Sequence, residues 1–303
     1  MSSLKTLVVS TFPNAKALPL WAGADAGIFA RHGVELVVDE TESSAAQREK
    51  LAGGDIHIAQ AAVDNALSMI AGGRDVIIVM GGESGMNDFI VRPEIETFAD
   101  FRGRTLLVDS PDTAYALQAR ELLGRAGLEA YHDYAIQPAG NSGRRCRALM
   151  TSAEFAGAVL NPPFSSQALL GGMKSLGRMV DLLGPYQAGG AFLLRRFARE
   201  NAEIVEDYIR GYVGSLEYVV DPANAPAMTA TLARRLELAP DVAAATLRQI
   251  VDPGFGFTTK AKLDRVGLAN VLATRARTEG PDARLADSSR WIDEGYYIRA
   301  ITR

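Results

Sequence analysis

Two α/β lobes of similar plan are predicted for this chain, on three observations. Apolar, β-branched runs begin near Lys5 (KTLVVS), Val34 (VELVVD), Ile56 (IHIAQ) and Val76 (VIIVM), at intervals of 29, 22 and 20 residues. A second set begins near Arg104 (RTLLVD), Asp133 (DYAIQ), Phe155 (FAGAVL) and Met179 (MVDLL), at intervals of 29, 22 and 24. Runs of this length and composition read as buried parallel strands, and the segments between them are helix-patterned. The third observation is length: 303 residues exceed what one hydrophobic core usually supports. The repeat is one of spacing, without strong residue identity between the halves. Two lobes leave a cleft, and such clefts are preferred ligand sites.

In chain order, residues 17–30 read as a loop entering a short helix, with Gly33 as punctuation before the second strand. Residues 43–51 read as a polar-faced helix closed by Gly53 and Gly54. Residues 64–71 read as a helix capped by Asp64 and stopped by Gly72 and Gly73. Residues 88–91 look like a strand crossing between lobes, reached through a glycine-rich segment, Gly81-Gly82-Glu83-Ser84-Gly85-Met86-Asn87. Ser110 followed by Pro111 reads as N-cap and first helical residue. The helix after it carries Tyr115, Ala119, Leu122, Leu123 and Ala126 on one stripe, with Gly127 at its C′ position. Residues 144–150 form a further short helix. After Gly189 and Gly190, residues 191–194 read as a return strand. The remainder is helical, led by a face of Ile204, Val205, Tyr208, Ile209, Tyr212, Val213 and Leu216.

Composition narrows the function classes. A hydrophobic content of 48% with 22% charged residues belongs to a globular chain rather than a disordered one. The net charge of −4 argues against a nucleic-acid partner, which favours basic patches. Cys146 is the sole cysteine, which excludes an intramolecular disulfide and a cysteine-based metal site. The histidines (His32, His57, His132) lack metal-ligand spacing, so no metal and no cofactor are expected. No apolar run approaches the roughly 20 residues needed to span a bilayer.

Several motifs, in order, resemble those of substrate-binding proteins of ABC transporters, in the group serving nitrate, sulfonates, taurine and thiamine-pyrimidine precursors. Pro19, Gly27, Phe29, Gly33, Val34 and Leu36 match that group's opening pattern. Residues 51–59 (LAGGDIHIA) are similar to its L-x-x-G-x-[IV]-D-[IVL]-[AG] stretch, with His57 standing where Asp is usual. Phe101-Arg102-Gly103-Arg104 stands at its L-[KR]-G-K, and Trp291-Ile292-Asp293 resembles its C-terminal signature more loosely. The resemblance covers nearly the whole chain. It implies the type II periplasmic-binding fold: two α/β lobes, two crossover strands and a ligand closed between them.

Ligand contacts are expected where strand ends meet helix N-termini, whose N–H groups and dipole suit anions. The expected set is Thr11, Phe12 and Asn14 after the first strand, Asp64 after the third, Ser110 and Thr113 in the second lobe, and Asn161 and Phe164 after a buried strand. Ordinary turn chemistry competes with this reading at 12–14, and capping competes at Asp64. His57 reads as a core histidine and Trp21 as packing beneath the first loop. Arg144, Arg145 and Arg147 read as a solvated helix face from which one arginine can reach an anion. Cys146 reads as a small buried hydrophobe.

These features support a solute-binding protein that captures a small polar or aromatic organic molecule, such as a sulfonate, carboxylate or pyrimidine, for an ABC permease. A monomer without catalytic residues is expected. The alternative is a cytosolic enzyme on the same fold, of the desulfinase or pyrimidine-precursor-synthase kind. The nucleophilic cysteine which that resemblance implies in the first-strand loop is replaced here by Ser10-Thr11-Phe12-Pro13-Asn14. The expected division is 1–88 with 189–303 for one lobe and 89–188 for the other. The first residues lack a basic segment followed by an apolar one. Location is therefore extracytoplasmic if a leader has been removed and cytoplasmic otherwise.

Overall fold

The computed structural model describes residues 4–302 and is an α/β protein with two five-stranded mixed sheets. The first sheet contains β1 (Lys5–Thr11), β2 (Val34–Glu40), β3 (Ile58–Ala62) and β4 (Val76–Met80). The second contains β5 (Asp88–Val91), β6 (Thr105–Val108), β7 (Ala135–Pro138), β8 (Phe155–Leu160) and β9 (Lys174–Arg178). The strand β10 (Gly189–Leu194) then returns to the first sheet. The strand orders are β2-β1-β3-β10-β4 and β7-β6-β8-β5-β9. Each sheet thus has three parallel strands followed by an antiparallel one, and that antiparallel strand follows a crossing from the other lobe.

The parallel ladders have one consequence for function. β1 pairs with β2 from Lys5↔Val34 through Thr11↔Glu40, and β6 pairs with β7 and β8 in the same sense. The C-terminal ends of β1 and β3 therefore share one edge, as do those of β6 and β8. Loops that will build a site emerge together from these edges.

Burial explains which strands the apolar runs reveal. β3, β4 and β10 are covered on both faces, so nearly every residue is buried. The fourth strand of the second set departs from expectation. Met179–Leu183 is a short helix, and the strand is the preceding Lys174–Arg178. That strand lies on an open sheet edge with its residues exposed or half-exposed, so it has no apolar run to display. β4 is also an outer strand but is covered differently. Ile78 N–H donates to the Trp291 carbonyl and the Asp293 N–H donates back to the Ile78 carbonyl, both at 2.9 Å. The C-terminal strap containing Trp291 and Ile292 thereby closes an otherwise reactive edge.

The helix Ala202–Val220 presents Ile204, Val205, Tyr208, Ile209, Tyr212 and Leu216 to the first sheet's core. It crosses the helix Leu18–Asp25 where Gly23 allows close approach, and Gly211 makes room for Phe29 of the helix Ile28–Arg31. A Cβ on Gly23 would lie 1.9 Å from Ser215 Oγ, and one on Gly211 would lie 2.5 Å from the Phe29 ring. Gly27 (φ 66°) and Gly33 (φ 79°) take left-handed turns on either side of the short helix Ile28–Arg31, which leads the chain into β2. Far along the sequence, the helix Arg265–Glu279 reaches the second lobe. Arg277 Nε donates to Glu121 at 2.8 Å, and Arg120 donates to the Thr278 carbonyl at 3.2 Å. No helix among the described residues is long and apolar enough to cross a membrane.

The Gly23–Ser215 approach yields a stability prediction. Gly23→Ala overpacks a buried crossing and should destabilise the protein by about 1–3 kcal/mol. Urea unfolding should show a lower midpoint with an unchanged slope, whereas Gly124→Ala, whose added Cβ has nothing within 4 Å, should unfold at or above the wild-type midpoint.

Candidate functional site

A cavity lies between the two lobes, with walls drawn from the strand C-terminal edges of both. The space between its walls is ≈ 750 Å³, the mouth included. From the first lobe come Thr11, Phe12, Asn14 and Lys16 after β1, Ser44 on the helix Ser44–Gly53, Gln60 to Ala62 of β3, and Asn65. Glu83 of the crossing segment, Gly189 at the start of β10 and Tyr212 also contribute. From the second lobe come Asp109, Thr113, Ala114 and Tyr115 after β6, Asn141, Ser142 and Arg145, and Asn161 after β8.

Local structure sets each group. Asn14 is in extended backbone and its Oδ1 accepts from the Lys16 N–H at 2.9 Å, starting a short 3-10 turn over Ala15–Ala17. That turn directs Lys16 across the cleft. Lys16 Nζ donates to the Tyr115 hydroxyl at 2.9 Å and lies 3.4 Å from Glu83 Oε1. Burial works against the Lys16 charge, but Glu83 and Tyr115 outweigh it and its pKa is raised. The Tyr115 oxygen also accepts from Asn161 Nδ2 at 2.9 Å. Opposite them, Asn141 caps the helix Ser142–Thr151, its Oδ1 accepting from the Arg144 N–H at 3.1 Å. Arg145 on that helix is 1% exposed. It donates to the Gly140 carbonyl (2.6 Å), Ser142 Oγ (2.9 Å) and the Val159 carbonyl (3.2 Å). Burial lowers its pKa, and Asp109 and Tyr115 oppose that shift.

The lobes touch around this space. Ser44 Oγ donates to Asp109 Oδ2 at 2.6 Å, Arg144 pairs with Glu42 at 2.6 Å, and the Ala15 N–H donates to the Pro162 carbonyl at 3.2 Å. The conformation is therefore a closed one, with polar contacts across the cleft mouth.

Of the residues expected from sequence, Thr11, Phe12, Asn14, Thr113 and Asn161 line the cavity, and Asp64, Ser110 and Phe164 do not. The helix after β3 begins at Val63, so Asp64 lies within its first turn rather than at its cap. Its side chain is turned away to Arg275, with Oδ1 accepting from Nη1 at 3.2 Å. The next residue, Asn65, is rotated about 100° around the helix and faces the cavity instead. The helix after β6 starts at Ala114 with Thr113 as N-cap, three residues later than Ser110-Pro111 suggests. Ser110 instead donates to Asp112 Oδ1 at 2.6 Å and accepts from the Thr113 hydroxyl through its carbonyl. Phe164 opens the helix Phe164–Leu170 and packs toward Gly143 on the neighbouring helix.

The residues outside the expected set carry the charge, and among them Arg145 is one of the three arginines from which one was expected to reach an anion. Arg145 had a signal: Ser142, Arg145, Cys146 and Leu149 form the buried i, i+3, i+4, i+7 face of their helix. Glu83 lies in the glycine-rich segment already singled out and Asp109 ends the run RTLLVD, whereas Lys16 had no pattern to mark it. His57 accepts from the Val8 N–H at 3.0 Å and stacks on Phe197, with burial lowering its pKa. Trp21 is buried and donates to Glu40 at 3.1 Å. Among the described residues no group of three or more His, Cys, Asp or Glu side chains is placed to hold a metal ion.

A family model described as the NMT1-like family matches residues 2–228. The fold is shared with solved structures of low sequence identity. The periplasmic nitrate-binding protein NrtA of Synechocystis PCC 6803 superimposes with a TM-score of 0.81 at 13% identity, covering 99% of this chain and 89% of that one. The alkanesulfonate-binding protein SsuA of Xanthomonas axonopodis pv. citri, bound to MOPS, gives 0.77 at 17% identity, covering 97% and 100%. The desulfurization enzyme DSZB gives 0.66 at 16% identity, covering 99% of both. No curated protein sequence matches.

Asp64 supplies a pH prediction. Burial raises its pKa to about 6 despite Arg275, so the folded state holds the proton more tightly than the unfolded state, whose carboxyl titrates near 3.8. Stability contributed by this group is therefore full below about pH 4, falls as pH rises to about 6, and is flat above. The stability difference between wild type and D64N should shift by about 1–3 kcal/mol against the wild type across that window, read by urea unfolding at pH 4, 5, 6 and 7. A difference that grows in favour of the wild type on going to pH 7 would show that Arg275 outweighs burial.

Proposed function

The chain belongs to the NMT1-like family, and from that premise we propose that it is a solute-binding protein rather than an enzyme. It captures a small polar or aromatic organic molecule of the sulfonate, carboxylate or pyrimidine-like kind between its lobes and presents it to an ABC permease. In this reading the first lobe is 1–88 with 189–303, the second is 89–188, and the chain acts as a monomer outside the cytoplasmic membrane.

The observation that carries the reading is the cavity's divided ownership. Lys16, Glu83 and Phe12 come from one lobe, and Tyr115, Asn161 and Arg145 from the other. A ligand touching both sets stabilises the closed form over an open one by its differential contacts, which is the requirement for a capture-and-release receptor. The proposed contacts are Thr11, Phe12, Asn14, Thr113 and Asn161, joined by Lys16, Tyr115 and Arg145. The enzyme alternative would need a nucleophile here. Cys146 does not serve: it is buried, its thiol contacts the Phe164 carbonyl at 3.3 Å, and burial pushes its pKa up to about 11.

The test is a thermal-shift screen of sulfonates, aromatic carboxylates and pyrimidines, followed by incubation with the best binder. A receptor returns the ligand unchanged by mass spectrometry, and small-angle scattering shows compaction on binding. Tyr115→Phe should weaken binding about tenfold by removing a bridging hydroxyl. Time-dependent conversion of the ligand by the wild-type protein would overturn the receptor reading.

A further inference from the structure

Resting on the receptor reading and narrowing its ligand class to the uncharged and zwitterionic members, we propose that the ligand carries no net charge and that its polar head joins an N–H donor to an oxygen acceptor. The donor serves Asp109 and Asn161, and the acceptor serves Arg145.

The formal charges of the cavity wall balance, Lys16 and Arg145 against Glu83 and Asp109. They are not equivalent pairs. Lys16 and Glu83 already face each other at 3.4 Å, and Lys16 is further held by Tyr115. Arg145 and Asp109 keep open capacity. The described hydrogen bonds of Arg145 go to neutral oxygens, and its Nε is buried without a partner. Asp109 Oδ2 accepts from Ser44, but Oδ1 is buried without a partner. Asn161 Nδ2 donates to Tyr115, and its Oδ1 is likewise unpartnered. Each of these three residues of the cavity wall thus keeps one buried polar atom without a partner, one cationic donor and two acceptors, one of them anionic.

Buried polar atoms left unmatched are costly, so the occupant is the molecule that matches them together. A simple anion would satisfy Arg145 but set negative charge near Asp109 and leave both acceptors open. A simple cation would satisfy Asp109 and repel Arg145. An uncharged carboxamide serves both sides, and so does a zwitterion that places ammonium toward Asp109 and carboxylate toward Arg145. Phe12, Tyr115 and Tyr212 add aromatic surface for a ring borne by such a head.

Isothermal titration of the full chain with three phenyl compounds decides the matter: benzamide (uncharged), phenylalanine (zwitterionic) and benzenesulfonate (anionic). Either of the first two should bind at least about tenfold more tightly than benzenesulfonate. Benzamide in the lead identifies an uncharged ligand and phenylalanine a zwitterion. In D109N, benzenesulfonate binding should strengthen about tenfold and the preference should narrow. Benzenesulfonate binding within about tenfold of the tighter of the other two overturns the proposal while leaving the receptor reading intact, since that reading fails only on conversion of a bound ligand. Binding by none of the three at millimolar concentration also overturns it. The wild-type ranking stands by itself even if D109N does not fold.

Discussion

The hydroxyl of Tyr115 is the point on which the site turns. It accepts from Lys16 of the first lobe and from Asn161 of the second, and so joins the two sheets through one oxygen. Lys16 can cross the cleft as a cation only because Glu83 lies beside it, and Glu83 is itself fixed. Its carboxylate accepts from the Gly85 N–H, and its carbonyl accepts from Ala188 and Gly189. A Cβ at Gly189 would lie 2.5 Å from Glu83 Oε1, so glycine is required for the carboxylate to occupy this place. A buried ammonium stripped of these partners would carry an uncompensated desolvation cost, commonly several kcal/mol. The chain of contacts from the crossing segments through Glu83 and Lys16 to Tyr115 therefore orders the cleft before any ligand enters.

The sheet topology places that chain at the hinge. β10 returns to the first sheet beside β3 and β4, while β5 lies in the second beside β8 and β9. Both crossings consequently run close together, and the Ala188 and Gly189 N–H groups donate to the Glu83 carbonyl at 3.2 and 2.9 Å. The residue that compensates Lys16 thus belongs to the paired crossings themselves, and any movement that displaced Glu83 would alter the electrostatics of the cavity.

How much of this was legible in the sequence follows from burial. Strands covered on both faces have no choice but to be apolar, so β1, β3, β4, β6 and β8 stand out as runs. The exposed edge β9 answers to no such constraint, and Met179–Leu183 offered a false substitute. The loops at strand ends were legible for the same reason, since they follow strands whose positions are fixed. Orientation within a loop or first helical turn was not. Asp64 and Asn65 differ by one position, yet one side chain meets Arg275 and the other meets the cavity. That outcome depends on a helix starting at Val63, which follows from tertiary contacts including the Val63 N–H donating to the Ala188 carbonyl at 2.7 Å. Arg145 shows the opposite failure. Its periodicity marked it as buried, but three arginines in one segment read more naturally as a wet surface.

The contacts across the cleft are not equal in what they contribute to closure. Arg144 and Glu42 are mostly exposed, and such pairs are typically worth 0–1 kcal/mol and are screened by salt. They guide the approach of the lobes more than they hold them. Lys16, Tyr115 and Asn161 act where water is largely excluded, so their hydrogen bonds are electrostatically stronger and more costly to leave unmade. Arg145 Nε, Asp109 Oδ1 and Asn161 Oδ1 are buried without partners in this conformation, and such unmatched polar atoms cost it stability.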